Sequence, residues 1–224
     1  MKLYGLCPRK FKARDKTIVQ AWRNLTGLPS VPTGRQYWTL CGPMAAPEGG
    51  LQEGCELRHV LDAGLLRNAG QFHGVERDVG THKDNVRGIH GLEVQPNLHL
   101  GEIHEVLRDA HAAGNFRPAI VNLDTTFYPE KAARLLGEVL FIVNRVPGPV
   151  MVVLNTILHG RYFKFTMADL VKAVERDSFC AHQLSYGWLE SEEGFTYMGT
   201  GGGRGVKMGT VIFFQPYKET ALAG

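Results

Sequence analysis

The spacing of apolar positions changes in a regular way along the chain. Ile18, Val19, Trp22 and Leu25 recur at helical intervals, with Asp15 or Thr17 placed to cap that helix and Gly27, Pro29 and Pro32 to stop it. Tyr37–Cys41 is a short, aromatic, β-rich run. After the loop GPMAAPEGG, the stripe Leu57, Val60, Leu61, Gly64 and Leu65 predicts a helix near Glu53–Leu66. The alternation continues with a strand at Gln71–Val75, a polar helix near Thr81–Gly88 and a strand at Asn97–Leu100. Next come helix Glu102–Ala113 closed by Gly114, strand Ala119–Leu123, and helix Glu130–Val143 opened by Pro129. Val150–Leu154 is continuously apolar, the mark of a strand buried on both faces of a parallel sheet. Thr166 and Asp169 form a capping box for a helix through Val174. His182–Leu189, Phe195–Met198 and Thr210–Gln215 read as strands, with the glycine cluster GTGGGRG between the last two predicting a terminal hairpin.

Strands alternating with helices predict an α/β fold: a Rossmann-like, doubly wound sheet, mostly parallel, with a C-terminal antiparallel hairpin. The chain divides into a basic helical extension, residues 1–36, and an α/β domain, residues 37–224. Its 224 residues, 44% apolar and 21% charged, exclude wholesale disorder and fibrous repeats. No apolar run approaches the ~20 residues of a membrane helix, so no membrane association is expected. Met1–Arg14 is basic without an apolar core, which predicts no secretory signal. Cys7, Cys41, Cys55 and Cys180 lie far apart with no CxxC pair, which fits a reducing cytoplasm and no zinc. A net charge of +3 is too mild to establish a nucleic-acid partner by itself.

Right-handed crossovers put the ligand site of such a sheet at the carboxyl ends of its strands. The first end carries Cys41, Gly42, Gly49 and Gly50, where backbone amides can approach an anionic group, or which form a plain loop. Glu76 ends the second strand, and an acid there can accept both hydrogen bonds of a ribose diol. Asp78 is an alternative hydroxyl acceptor or a helix cap. Gly101–Glu102 follows the third strand, placing an acid either near a purine amine or at its own helix dipole. Asn122 and Asp124 share one face of the fourth strand, and a polar pair in so apolar a run points to function. His59 and His73 read as structural, and Cys41 has no histidine base beside it in sequence. No GxSxG elbow or Walker A sequence occurs, against hydrolase and P-loop chemistry.

Beyond Asn155, the segment HGRYFKF interleaves Arg161 and Lys164 with Tyr162, and GTGGGRGVK carries Arg204 and Lys207. Aromatics beside cations stack bases and hold phosphates, which makes DNA or RNA the first partner to consider. An amphipathic strand and an empty flexible loop give the same two patterns.

The order of glycine loop, acid after the second strand, acid after the third, Asp after the fourth and terminal hairpin resembles the class I S-adenosylmethionine-dependent methyltransferase fold over about residues 37–216. YWTLCG, GCELRHVL, QFHGVERD and PAIVNLDTT look most like small methyltransferase-like proteins of bacteriophages and mobile elements. The resemblance implies S-adenosylmethionine as cofactor. Its methionine part would lie on the loop from Gly42, its ribose on Glu76 and its adenine side on Glu102, with the methyl group facing Asn122 or Asp124. TLCGP stands where the family has acid-x-Gly-x-Gly, and NLDTTFY where amino-directed DNA methyltransferases have (N/D)PP(Y/F). VNLDTTFYPEK with VVLNTILHGR is also similar to metal-dependent catechol-type O-methyltransferases, Asp124 and Asn155 matching two metal ligands. Leu154 replaces the remaining aspartate, so no metal is expected. The expected function is methyl transfer to a nucleic acid. The rival is a non-catalytic protein of the same fold that binds a host protein or nucleic acid, its cofactor pocket filled by Met44 or the loop prolines. A dinucleotide-dependent enzyme ranks below both, for want of GxGxxG.

Overall fold

A computed structural model of the chain describes residues 14–46, 48–159, 164–177, 199–201 and 206–215. Seven strands form one sheet: β1 (Gln36–Leu40), β2 (Phe72–Glu76), β3 (Asn97–Leu100), β4 (Pro118–Asp124), β5 (Val150–His159), β6 (Gly199–Gly201) and β7 (Val206–Gln215). Their spatial order is β3-β2-β1-β4-β5-β7-β6. The first five are parallel, β7 runs antiparallel to β5, and β6 antiparallel to β7. This is the expected Rossmann-like α/β architecture, and strand order reverses between β1 and β4. That switch point is where such sheets leave a crevice at the strand ends.

Helices α1 (Ala21–Thr26), α2 (Glu56–Asp62), α3 (Val79–Gly88), α4 (Ile103–Ala112), α5 (Pro129–Val143) and α6 (Met167–Arg176) flank the sheet. On one face Trp38, Val121, Leu123, Val152 and Leu154 pack against Leu107, Leu136 and Leu140. On the other, Tyr37, Ile120, Met151 and Val153 pack with Ile18, Trp22, Leu57 and Val60. Strand alternation produces this division, because successive side chains point to opposite faces. Ile18, Val19 and Trp22 are fully buried, so the N-terminal helix is a wall of the second core rather than an appendage.

Several predicted details hold. Pro129 occupies the first turn of α5, Gly114 follows α4 at φ +72°, and the Thr166–Asp169 capping box opens α6. Others differ. Neither Asp15 nor Thr17 caps the first helix, which starts as a π-helical turn at Asp15–Gln20; Asp15 instead accepts from Gln20 Nε2, and Thr17 is buried. The helix near Glu53–Leu66 is confined to Glu56–Asp62, since Gly64 at φ +65° turns the chain away. The start of the glycine cluster is itself strand β6, paired with the beginning of β7, rather than a connecting turn. The strands expected at His182–Leu189 and Phe195–Met198 lie outside the described residues. Among the described residues no helix is long and apolar enough to cross a membrane.

Candidate functional site

A cavity of about 220 Å³ opens at the carboxyl ends of β1 to β4. Cys41 and Gly42 follow β1, Glu76 ends β2, Gly101 and Glu102 follow β3, and Asp124 ends β4; all six line it. Residues predicted separately from four strand ends are therefore brought together. Glu76 Oε1 accepts from the Asp78 amide at 2.9 Å, which fixes the carboxylate at the strand end; Oε2 has no partner among the described residues. Gly101, at φ +148°, donates its amide to the Glu76 carbonyl at 3.0 Å, an extension of the β2–β3 ladder. Glu102 stands at the start of α4 without a capping bond and meets Arg77 Nη1 at 3.6 Å on the exposed rim. Phe127 completes that rim, with Lys131 Nζ 4.0 Å and Arg77 Cζ 5.9 Å from its ring centre.

Gly49 and Gly50 do not line the cavity. They form a tight turn, with Gly49 N donating to Ala46 O and Ala46 N to Gly50 O, both at 3.0 Å, and their positive φ is a turn requirement. Asp78 does not line it either; it caps α3 by accepting from Thr81 N at 2.7 Å, and those bonds hold its carboxyl below the usual range. What positions the loop after β1 is a residue sequence reasoning passed over, the buried Asn85 of α3. Its Oδ1 accepts from Met44 N at 2.7 Å and its Nδ2 donates to Gly42 O at 3.1 Å. Gly88, one turn further on, lets Ala45 approach the helix backbone; an added Cβ would sit 2.8 Å from Ala45 Cα. Met44 is buried in the second core and is not among the residues lining the cavity.

Beneath the cavity a buried polar network crosses the sheet. Thr39, Asn122, Asn155 and Thr210 come from four adjacent strands. Asn122 Nδ2 donates to Glu56 Oε1 at 2.8 Å and approaches Thr39 Oγ1 at 3.4 Å. Asn155 Nδ2 donates to Asn122 Oδ1 at 3.1 Å, and Thr210 Oγ1 to Asn155 Oδ1 at 2.6 Å. Glu56 also accepts from the Tyr37 hydroxyl at 2.6 Å and pairs with Arg14 Nη2 at 3.3 Å. Burial, then the Glu56 carboxylate, raises the Tyr37 pKa, so the phenol stays protonated and donates. Arg14 Nη2 lies 4.0 Å from Asp124 Oδ2, linking the network to the cavity.

Asn122 is thus committed to Glu56 and Asn155, and Asn155 to Asn122 and Thr210, and neither lines the cavity; of the pair on β4, Asp124 is the one that does. Glu56 was missed, although a signal existed: it sits four residues before Val60, on the apolar stripe of α2. Cys41, at the cavity wall, is pushed up to about 12 by burial and then by Glu76 and Glu56, which leaves it a thiol at neutral pH. Lys164 is exposed and does not line the cavity, and Lys207 lies in β7. Arg161, Tyr162 and Arg204 fall outside the described residues. Among the described residues no three His, Cys, Asp or Glu side chains gather as metal ligands.

No known protein family matches the chain, and no curated protein does. Fold and site define the class as a Rossmann-like α/β protein with a cavity at the switch-point ends of its parallel strands.

Proposed function

We propose that the protein binds S-adenosylmethionine at the carboxyl ends of β1 to β4 and transfers its methyl group to a nucleic acid. The observation that carries this reading is the convergence of Cys41, Gly42, Glu76, Gly101, Glu102 and Asp124 on one cavity. The antiparallel β7 beside β5 supports it, because the terminal hairpin was part of the resemblance. So does Met44, whose burial in the second core leaves the cavity lined by other residues.

The lining suits the cofactor's chemistry. Glu76 Oε2 is a carboxylate acceptor for a ribose diol, and Glu102 adds negative charge on the same wall as a partner for amino groups. The bound cofactor supplies an electrophilic methyl group. Asp124 holds the acceptor by hydrogen bonding and takes its proton as the nucleophile is methylated. Asn122, through Glu56 and Arg14, fixes the end of β4 and so the place of Asp124. Arg77 and Lys131, beside Phe127, form the positive aromatic rim that a phosphate backbone would meet.

A second reading, a non-catalytic binder of the same fold, is favoured by one observation. The cavity, at about 220 Å³, lies below the ~300–1,000 Å³ of most small-molecule sites. Labelled methyl transfer to DNA and to RNA separates the two. The enzyme reading expects label in one of them, reduced about 100-fold or more by Asp124→Asn, as removal of a general base requires. Cofactor binding without transfer to either would overturn the nucleic-acid acceptor, and no cofactor binding would leave the binder.

A further inference from the structure

Strand β3 is four residues long and, among the described residues, forms the edge of the sheet with β2 as its partner. Side chains add a second tie on one face. His73 of β2 and His99 of β3 are diagonal neighbours with ring planes 9° apart, and His73 Nδ1 lies 3.1 Å from His99 Nε2. Both rings stack on the buried Trp38 indole, at 4.2 Å and 5.0 Å between centres. Asn97, at the start of β3, donates through Nδ2 to the carbonyls of Gly70 at 2.9 Å and Phe72 at 3.5 Å. The same nitrogen faces His73 Nε2 at 3.4 Å.

These contacts assign the protons. Two carbonyl acceptors make the Asn97 group that faces His73 the NH2 end, so His73 Nε2 is an acceptor and its proton sits on Nδ1. His73 Nδ1–H then donates to His99 Nε2, which leaves the His99 proton on Nδ1. The pair has no place for a further proton. Added at His73 Nε2, it meets the Asn97 N–H; added at His99 Nε2, it meets His73 Nδ1–H. Shifting protons within the pair only moves this donor-to-donor clash from one contact to the other. The Trp38 ring attracts an imidazolium, but it leaves the clash in place.

Water reaches the pair, because both histidines are partly exposed and line an open groove of about 980 Å³. The titratable and charged groups around them are His82 of α3, and Asp109 of α4 and Arg117 before β4 on the groove wall; His111 of α4 packs edge-on to Phe116. Burial lowers both histidines, with His99 adding to the effect at His73, which falls to about 3, and His82 adding to it at His99. An opened pair regains the ordinary value of 6.5, so the open strand gains protons, and stability relative to the closed one, as pH falls below 6.5. Strand β3 runs straight into Gly101, whose amide donates to the Glu76 carbonyl at 3.0 Å, and then Glu102; both line the strand-end cavity.

From this geometry we propose that His73, His99 and Asn97 form an acid-sensitive latch. Neutral, it holds β3 and the Gly101–Glu102 wall of the cavity against β2; protonated, it lets them part. The assignment does not depend on what the cavity binds. Amide hydrogen exchange of the full chain at pH 7 and pH 5, corrected for the intrinsic effect of pH on exchange, tests it. Gly101 should be less protected than Val121 in the central strand β4 at both pH values, as opening confined to the edge requires. Its protection should fall about 25-fold from pH 7 to pH 5, the factor given by a pKa that rises from about 3 to 6.5 on opening. That loss should shrink below about threefold in a folded His73→Gln/His99→Gln variant. Nitrogen NMR of the wild-type imidazoles should place the neutral-pH proton on Nδ1 of both rings, a readout that needs no variant. Equal protection of Gly101 and Val121, an undiminished loss in the double variant, or Nε2 protonation of either ring at pH 7 would each overturn the latch.

Discussion

Asn122 Nδ2 donates at 2.8 Å to Glu56 Oε1, the oxygen that also takes the Tyr37 hydroxyl at 2.6 Å. One buried carboxylate oxygen therefore joins α2 to β1 and β4, while its other oxygen holds Arg14. A buried charge is tolerated only when paired and hydrogen-bonded, and Glu56 has both.

Glu56→Leu should cost roughly 3–5 kcal/mol, because it strands the Arg14 guanidinium, the Tyr37 hydroxyl and the Asn122 amide together. Urea unfolding measures it. Arg14→Met added to Glu56→Leu should cost little more, the two acting as one unit. Additive losses would show that Arg14 and Glu56 are not coupled.

Gly88→Ala reverses an ordinary rule. Alanine in a helix is favoured over glycine by about 1 kcal/mol. Here its methyl would collide with Ala45, which the Asn85 bonds to Met44 and Gly42 hold in place. Destabilisation by about 1–3 kcal/mol is expected, together with faster amide exchange at Met44. A stabilised Gly88→Ala protein would mean that the loop yields freely.

Stability should fall below neutral pH through His73. Its folded pKa, about 3, is below the unfolded value of 6.5, so the unfolded chain binds a proton that the folded one refuses. Its contribution is complete above pH 6.5 and is lost as pH falls from 6.5 toward 3. Between pH 7 and pH 5 that amounts to about 2 kcal/mol. Urea midpoints at the two pH values, compared with His73→Gln, measure it; an equal drop in the variant would remove His73 as the cause.

The parts of this fold that local pattern dictates were legible. VMVVL and PAIVNL read as strands because both faces are buried, and Pro129, Gly114 and Thr166–Asp169 mark helix ends by chemistry confined to a few residues. The strand-end rule also selected Cys41, Gly42, Glu76, Gly101, Glu102 and Asp124, which share one cavity. Long-range polar bonds were not legible. Asn85 sits in a polar helix, where an amide is ordinarily solvated, and only the folded loop gives it partners 41 and 43 residues away. Asn122 stands out in the sequence as a polar residue in an apolar run, which points to function, but its bonds go to Glu56 and Asn155 rather than into the cavity. His73 read as structural, and its pairing with His99 needed the β2–β3 register. Gly49 and Gly50 resembled a ligand loop because turns and anion sites use glycine for the same backbone freedom.

The central claim is that the strand-end cavity holds S-adenosylmethionine through Glu76. Calorimetric titration of the purified protein with S-adenosylmethionine and S-adenosylhomocysteine tests it most directly. The account predicts micromolar binding, about −8 kcal/mol, weakened at least about tenfold in a folded Glu76→Ala variant as a charge-assisted ribose contact is lost. Absence of heat from a folded wild-type protein, or equal affinity in Glu76→Ala, would contradict it.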